Sequence, residues 1–297
     1  MAASRDRIGF VGLGNMGAPM ARRLVNAGHE LVVADANPEA VERFAAGSKC
    51  ERAPSPPSLG ERCQVVITML PNGQIVRDVL LGANGIAPRL AAGSVVIDMS
   101  SSSPLGTREL AADLAKRGIP LVDAPVSGGV KKAADGTLAI MVGGEAEPVA
   151  RVKPILEVMG KVFPTGGSGS GHAMKSLNNF LSAANLAVAA EAVIAGQRFG
   201  LDPANMIAIL NASTGRNTGT DSKFPNNVLP RTFDSGFALG LMAKDLRLAL
   251  EVARSTGAPA GLLELTAQLW ANAEQQLGGK ADNTEIVKYL ESLVPHE

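Results

Sequence analysis

Residues 7–17 read Arg7-Ile8-Gly9-Phe10-Val11-Gly12-Leu13-Gly14-Asn15-Met16-Gly17, and a second apolar run, Leu31-Val32-Val33-Ala34, ends at Asp35. An apolar run of strand length, three spaced glycines, an amphipathic stretch and a second apolar run predict a strand–helix–strand unit with a dinucleotide site in its first turn. Gly12 permits the tight turn from strand to helix. Gly14 lets backbone approach a pyrophosphate, and Gly17 lets helix and strand pack without a side chain between them. The pyrophosphate would rest on the free N–H groups at the positive end of the helix beginning near Asn15, so Asn15 and Met16 count as cofactor contacts with the glycines. Asp35 follows Gly17 by 18 residues, at the end of the second strand. A carboxylate there accepts hydrogen bonds from ribose hydroxyls and repels a 2′-phosphate. The next arginine is Arg43. The expected cofactor is therefore NAD, with NADP not excluded.

Working outward, strand-length apolar runs recur at 8–11, 31–34, 65–69, 95–98, 121–122, 138–142 and 162–163. Helical or turn-rich stretches separate most of them, which predicts βαβ units and a mostly parallel sheet covered on both faces. The spacing tightens after residue 118, so the last strands are expected to form a partly antiparallel extension. Asn37-Pro38-Glu39 reads as an N-cap, a first-turn proline and a first-turn acid. At Gly166-Gly167-Ser168-Gly169-Ser170-Gly171 the composition changes. Strand patterns then cease, and a long apolar, alanine-rich helix is expected over about 170–199, with further helices at 203–212, 240–256, 260–276 and 283–292. The expected architecture is α/β, with a doubly wound dinucleotide-binding domain over 1–165 and an all-α domain over 166–297, joined by the long helix.

Bulk properties exclude several classes. Lys plus Arg and Asp plus Glu are 28 each and the formal net charge is zero. No block of like charge recommends a nucleic-acid or membrane-surface partner. No run of 18 uninterrupted apolar residues appears, so no membrane span is expected. The start, Met1-Ala2-Ala3-Ser4-Arg5, leads directly towards a strand and leaves no room for a signal peptide. Cys50 and Cys63 are the only cysteines, and His29, His172 and His296 are scattered. A disulfide scaffold or structural metal is not expected, and a cytoplasmic protein is.

Five separate motifs resemble the β-hydroxyacid dehydrogenase family, most of all its 3-hydroxyisobutyrate dehydrogenase branch. They are Gly9-Phe-Val-Gly-Leu-Gly-Asn-Met-Gly-Ala-Pro-Met-Ala21; Met69-Leu70-Pro71 with Gly82-Ala-Asn-Gly-Ile86; Asp123-Ala-Pro-Val-Ser-Gly-Gly129; Gly169-x-Gly171-x-x-x-Lys175-x-x-Asn178-Asn179; and Lys244-Asp-Leu246. The resemblance implies a Rossmann-like domain, a long interdomain helix and a helical C-terminal domain. It also implies hydride exchange between a nicotinamide cofactor and a small carboxylate substrate.

Such a reaction needs a partner for the hydroxyl proton, and no histidine recommends itself. Lys175 lies just after the glycine loop at the start of the long helix, among Ala173, Met174 and Leu177. Burial and a helix N-terminus both draw a lysine pKa towards neutrality. The resemblance makes Lys175 the catalytic acid or base. Asn179 sits one turn beyond on the same helix face, where its amide can orient the lysine and bind a substrate hydroxyl. Asn178 projects elsewhere and is expected to support structure. Ser127 with Gly128 and Gly129 makes a small anion-binding concavity, which the resemblance assigns to the substrate carboxylate. The resemblance further implies cofactor contacts from Met69, Leu70, Pro71, Ser101 and Lys244. Ser101 stands where the branch usually has threonine. Asp245 is expected to cap or pair locally. Arg216, in Ser213-Thr-Gly-Arg216, has either a substrate carboxylate, a neighbouring subunit or solvent to face. The segment 217–220 lacks the Cys-Trp often seen in the branch, which bears on substrate more than on reaction type. His172, Cys50 and Cys63 read as structural.

The competing readings are a semialdehyde reductase of the glyoxylate, succinic or tartronate type and a dinucleotide-binding module without catalysis. An imine reductase is disfavoured by the presence of Lys175. The long apolar helix suggests a homodimer or homotetramer.

Overall fold

The structure is a computed structural model, described here for residues 6–295; His296 lies outside the described residues. It divides into two compact units, Met1–Lys175 and Ser176–Glu297.

The first unit is built on a nine-stranded sheet. Its strands are β1 (Ile8–Val11), β2 (Leu31–Ala34), β3 (Glu51–Arg52), β4 (Val65–Thr68), β5 (Val95–Asp98), β6 (Leu121–Asp123), β7 (Val126–Ser127), β8 (Leu138–Gly143) and β9 (Gly160–Gly166). The order is β3-β2-β1-β4-β5-β6-β8-β7, with β9 also on β8. All pairs from β3 to β6 are parallel, and β6 and β7 meet β8 antiparallel. The tight spacing after residue 118 is thus a reversal of direction. β6 and β7 form an interrupted strand, broken at Ala124-Pro125, because proline cannot donate to a ladder.

Successive strand residues point to opposite faces. Ile8, Phe10, Val65, Ile67, Val95 and Ile97 enter one core, whereas Val11, Val32, Val66 and Val96 enter the other. Both faces are buried, as a doubly wound sheet requires. Phe10, Ile67 and Ile97 are fully buried, and each such side chain contributes about 1.5–3 kcal/mol. The Asn37 side chain caps the helix Pro38–Ala46 by accepting from Glu39 N at 3.0 Å.

The second unit is helical: Pro203–Asn211, Leu239–Thr256, Gly261–Leu277 and Ile286–Ser292 surround Trp270 and Phe224. The expected helix 283–292 begins as a 3₁₀ turn, Asn283–Glu285. Gly219–Val228 is a π-helix that no sequence period announced; Leu229 N donates to Phe224 O, five residues back, at 2.9 Å.

The long helix runs Ser170–Phe199, and the division between the units falls within it at Lys175. It is long and apolar enough to cross a bilayer, with mean hydropathy 1.3 in its most apolar window. Ala183, Leu186, Ala189, Ala190 and Val193 are nevertheless buried in the helical core with Trp270, so this helix serves as a packing element of the second unit. Leu181 and Val188 on another face stay exposed.

Candidate active site

Register aligns the carboxyl ends of the parallel strands. Val11 pairs with Ala34 and Thr68, Thr68 with Asp98, and Asp98 with Asp123. Gly12, Asp35, Met69 and the Ser100–Ser102 loop therefore begin along one sheet edge, the edge where ligands bind in such sheets.

The three glycines of the first turn have different environments. Gly12 has φ of 100°, and a Cβ there would overlap the Met69 carbonyl. A Cβ on Gly17 would overlap the Gly12 carbonyl, whereas a Cβ on Gly14 would meet nothing within 4 Å. Two glycines are thus demanded by the protein's own packing. The third leaves a bare, open stretch of backbone before the helix Gly17–Asn26, which fits the approach of a pyrophosphate. Asn15 is exposed and Met16 half-buried at that helix start. Asp35 Oδ2 accepts from Leu13 N at 2.6 Å and Oδ1 from Asn37 N at 2.7 Å. The acid thereby braces the glycine loop, a role its position in sequence did not disclose, and each oxygen keeps a lone pair for a ribose hydroxyl.

Beneath the next two loops lies a buried polar network. Asp98, 1% exposed, accepts from Thr68 Oγ1 at 2.9 Å, Ser100 N at 3.0 Å and Ser102 Oγ at 2.7 Å. Leu70 N, inside Met69-Leu70-Pro71, donates to Ser100 Oγ at 2.9 Å. Met69 N donates to Val11 O at 2.9 Å. Ser101, half-buried, sits between the two anchored serines. Asp123, fully buried, accepts from Gly169 N at 2.8 Å and His172 N at 3.0 Å. It thus caps the long helix from 46 and 49 residues away, satisfying N–H groups that a helix start leaves open. His172 is buried in the same network. The reading of His172 as structural omitted these contacts, and neither Asp98 nor Asp123 was singled out as a candidate.

Ser127 ends β7, and Gly128 and Gly129, at φ of 137° and 70°, begin the exposed start of the helix Gly129–Asp135. Lys175 is half-buried in the second turn of the long helix. In the second unit, Asn179 is 5% exposed, and its Nδ2 donates to Asp245 Oδ2 at 2.6 Å. Asn178 Nδ2 donates to Asn179 Oδ1 at 3.2 Å, so its partner is the neighbouring amide. Lys244 Nζ lies 3.5 Å from Asp245 Oδ1. Asp245, expected to pair locally, thus joins the Lys244 motif to Asn179 across 66 residues. Arg216 pairs with Asp221 at 3.0 Å and is exposed.

Burial pushes the Cys63 thiol up to about 11, against the opposing pull of Arg7 and Arg62, and raises the Cys50 thiol as well. Neither is a ready nucleophile, since the thiolate is the reactive form. Among the described residues no group of His, Cys, Asp and Glu is arranged to hold a metal.

Comparison with known proteins agrees with this geometry over both units. Residues 7–167 match the family model for the NAD-binding domain of 6-phosphogluconate dehydrogenase. Residues 169–290 match the model described as NAD-binding of NADP-dependent 3-hydroxyisobutyrate dehydrogenase. The chain is 37% identical to 2-(hydroxymethyl)glutarate dehydrogenase of Eubacterium barkeri, over 97% of this chain and 95% of the relative. It is 38% identical to the mitochondrial 3-hydroxyisobutyrate dehydrogenase of Mus musculus, over 99% and 89%. The structure of Mycobacterium tuberculosis 3-hydroxyisobutyrate dehydrogenase with L-serine superposes with a TM-score of 0.89 at 34% identity, covering 97% of this chain and 99% of that one. A glycine loop shaped for a dinucleotide, a doubly wound sheet followed by a helical unit, and full-length relatives together assign the chain to the β-hydroxyacid dehydrogenase family, as an NAD(P)-dependent oxidoreductase acting on CH–OH donors.

Proposed function

We propose that the protein oxidises a small β-hydroxy acid of the 3-hydroxyisobutyrate kind, with Lys175 as the proton acceptor and NAD as the preferred cofactor. The observation that carries this reading is the place of Lys175. It stands one turn after a helix start pinned by Asp123 and one turn before Asn179, whose amide is oriented by Asp245. The bound cofactor supplies the hydride acceptor. Lys175 takes the hydroxyl proton in the alcohol-to-aldehyde direction, in which the carbinol hydrogen would pass as hydride to the bound cofactor, and returns a proton in the aldehyde-to-alcohol direction. Asn179 holds the substrate hydroxyl towards Lys175. Ser127 and the N–H groups of Gly128 and Gly129 hold the carboxylate. Met69, Leu70, Pro71, Ser101 and Lys244 are assigned to the cofactor. The NAD preference rests on Asp35, whose charge opposes a 2′-phosphate.

A homodimer or homotetramer is part of the same proposal. Leu181, Val188, Ala192, Ala195 and Phe199 are exposed on the long helix at near-helical spacing, and a stripe of that kind gains from cover.

The test follows NADH absorbance with 3-hydroxyisobutyrate, L-serine, D-glycerate, 4-hydroxybutyrate and threonate, each with NAD and NADP, for the wild type and Lys175→Ala. Turnover with one acid, reduced about 100- to 10,000-fold in Lys175→Ala while dinucleotide binding persists, is expected. Undiminished turnover in Lys175→Ala would remove the lysine from the mechanism.

A further inference from the structure

His172 occupies the point where three strand-end loops meet the helix that carries Lys175. It is 1% exposed. Its Nε2 lies 3.1 Å from Ser100 O. A carbonyl only accepts, so Nε2 carries the hydrogen and donates. Its Nδ1 lies 2.8 Å from Thr107 Oγ1, on the helix Pro104–Ala115. Its backbone N–H donates to Asp123, at the end of β6. Ser100 in turn accepts the Leu70 N–H on its hydroxyl. The result is one continuous chain: the loop after β4 is held by Ser100, Ser100 by the His172 ring, and the His172 backbone by Asp123. Asp98 and Asp123 flank the ring at 3.7 and 3.9 Å.

From this we infer that His172 is a positioning residue. Its side chain fixes the Met69–Pro71 and Ser100–Ser102 loops against the first turns of the Lys175 helix. The inference rests on the reading of Lys175 as the proton-transferring group. The ring's contribution is separable from capping, because the N–H that Asp123 accepts belongs to the backbone and survives any substitution at residue 172 except proline. It is also separable from the pyrophosphate cradle. Gly12, Gly14 and Asp35 make their contacts without this ring, so the ring acts through the Met69–Pro71 and Ser100–Ser102 loops, on the seating of the cofactor assigned to them and on the alignment of the reacting groups. Misplacement of reacting groups by a fraction of an ångström lowers turnover steeply.

Three variants test it. His172→Ala removes both ring contacts. His172→Gln keeps an N–H for Ser100 O and an acceptor for the Thr107 hydroxyl. Thr107→Val removes the Nδ1 partner together with the hydroxyl's 2.8 Å bond to Ser103 O in the same helix, and serves if His172→Ala does not fold. For His172→Ala, kcat is expected to fall about tenfold or more and KM for NAD to rise, and His172→Gln is expected to stay within about threefold of wild type in both. Thr107→Val should show the same pattern, smaller. Amide hydrogen exchange gives a readout independent of any substrate: exchange at Leu70 and Ser100 should quicken in His172→Ala, and exchange at Leu13, braced by Asp35, should not. Unchanged exchange at Leu70 and Ser100 overturns the inference. So does wild-type kcat in folded His172→Ala, or an equal loss in His172→Gln. Failure of the underlying reading would look different: Lys175→Ala would turn over normally while the exchange difference persisted.

Discussion

The two units hold their polar groups by different means. In the sheet unit, backbone does the holding: strand ends are fixed by register, glycines touch carbonyls, and carboxylates accept main-chain N–H groups from distant loops. In the helical unit, side-chain donors take a larger part. Asn179 reaches Asp245, and the Ser235 and Thr284 hydroxyls converge on Asp282 beside the backbone N–H groups of Gly236 and Thr284. A backbone-built site tolerates almost no added atom, because backbone cannot step aside. A site built from side chains tolerates added volume better and is sensitive to lost charge or lost donors.

The largest expected effect sharpens that contrast within one loop. Gly17→Ala drives a methyl into the Gly12 carbonyl and should cost about 3 kcal/mol or more of stability, read by thermal melting. Gly14→Ala meets nothing in the protein. It should leave the melting temperature near wild type while weakening NADH binding in a fluorescence titration. Equal melting temperatures for the two variants would break the backbone account.

In the helical unit, Asp245→Ala leaves the buried Asn179 amide without that acceptor. A loss of about 1–3 kcal/mol is expected in urea unfolding, with Asp245→Asn intermediate. Smaller again is Asp282. Burial raises its pKa, but hydrogen bonds from Thr284, Ser235 and Gly236 outweigh burial and hold it below the ordinary carboxylate value. A lowered pKa in the folded state adds stability above the unfolded value, near 3.9, and that stability is lost as pH falls through the folded value. Asp282→Asn should lower stability at neutral pH and flatten that acid decline. The smallest effect belongs to Lys223. Burial lowers its pKa, with Asp282 opposing. Between the folded value and the ordinary lysine value the unfolded chain binds more protons, so stability rises with pH there. Lys223→Met should raise the neutral-pH melting temperature slightly and abolish that alkaline rise.

The legible parts of the chain were those with local periodicity. All seven apolar runs fall in strands, six of them largely buried and the seventh in the more exposed β9, and the long helix announced itself by alanine and leucine spacing. β3 stayed hidden because Glu51 and Arg52 are exposed and pair with Val32 and Val33 through backbone alone. The π-helix stayed hidden because its turn is not 3.6 residues and Pro225 stands inside it. The bonds that tie His172 and Asp123 into the network left no local signal, since they span 46 to 72 residues. Asp35 was found, yet its grip on Leu13 is a tertiary fact that spacing does not encode.

Trp270, packed at the centre of the helical core, is the chain's only tryptophan, and Tyr289 its only tyrosine. Both belong to the second unit, so the sheet unit contributes no tryptophan or tyrosine signal. Intrinsic emission therefore watches one half of the molecule, while far-ultraviolet dichroism watches both. Coincident denaturation curves from the two probes would mean that the halves unfold as one cooperative body, and separated curves would assign each transition to its unit without a label.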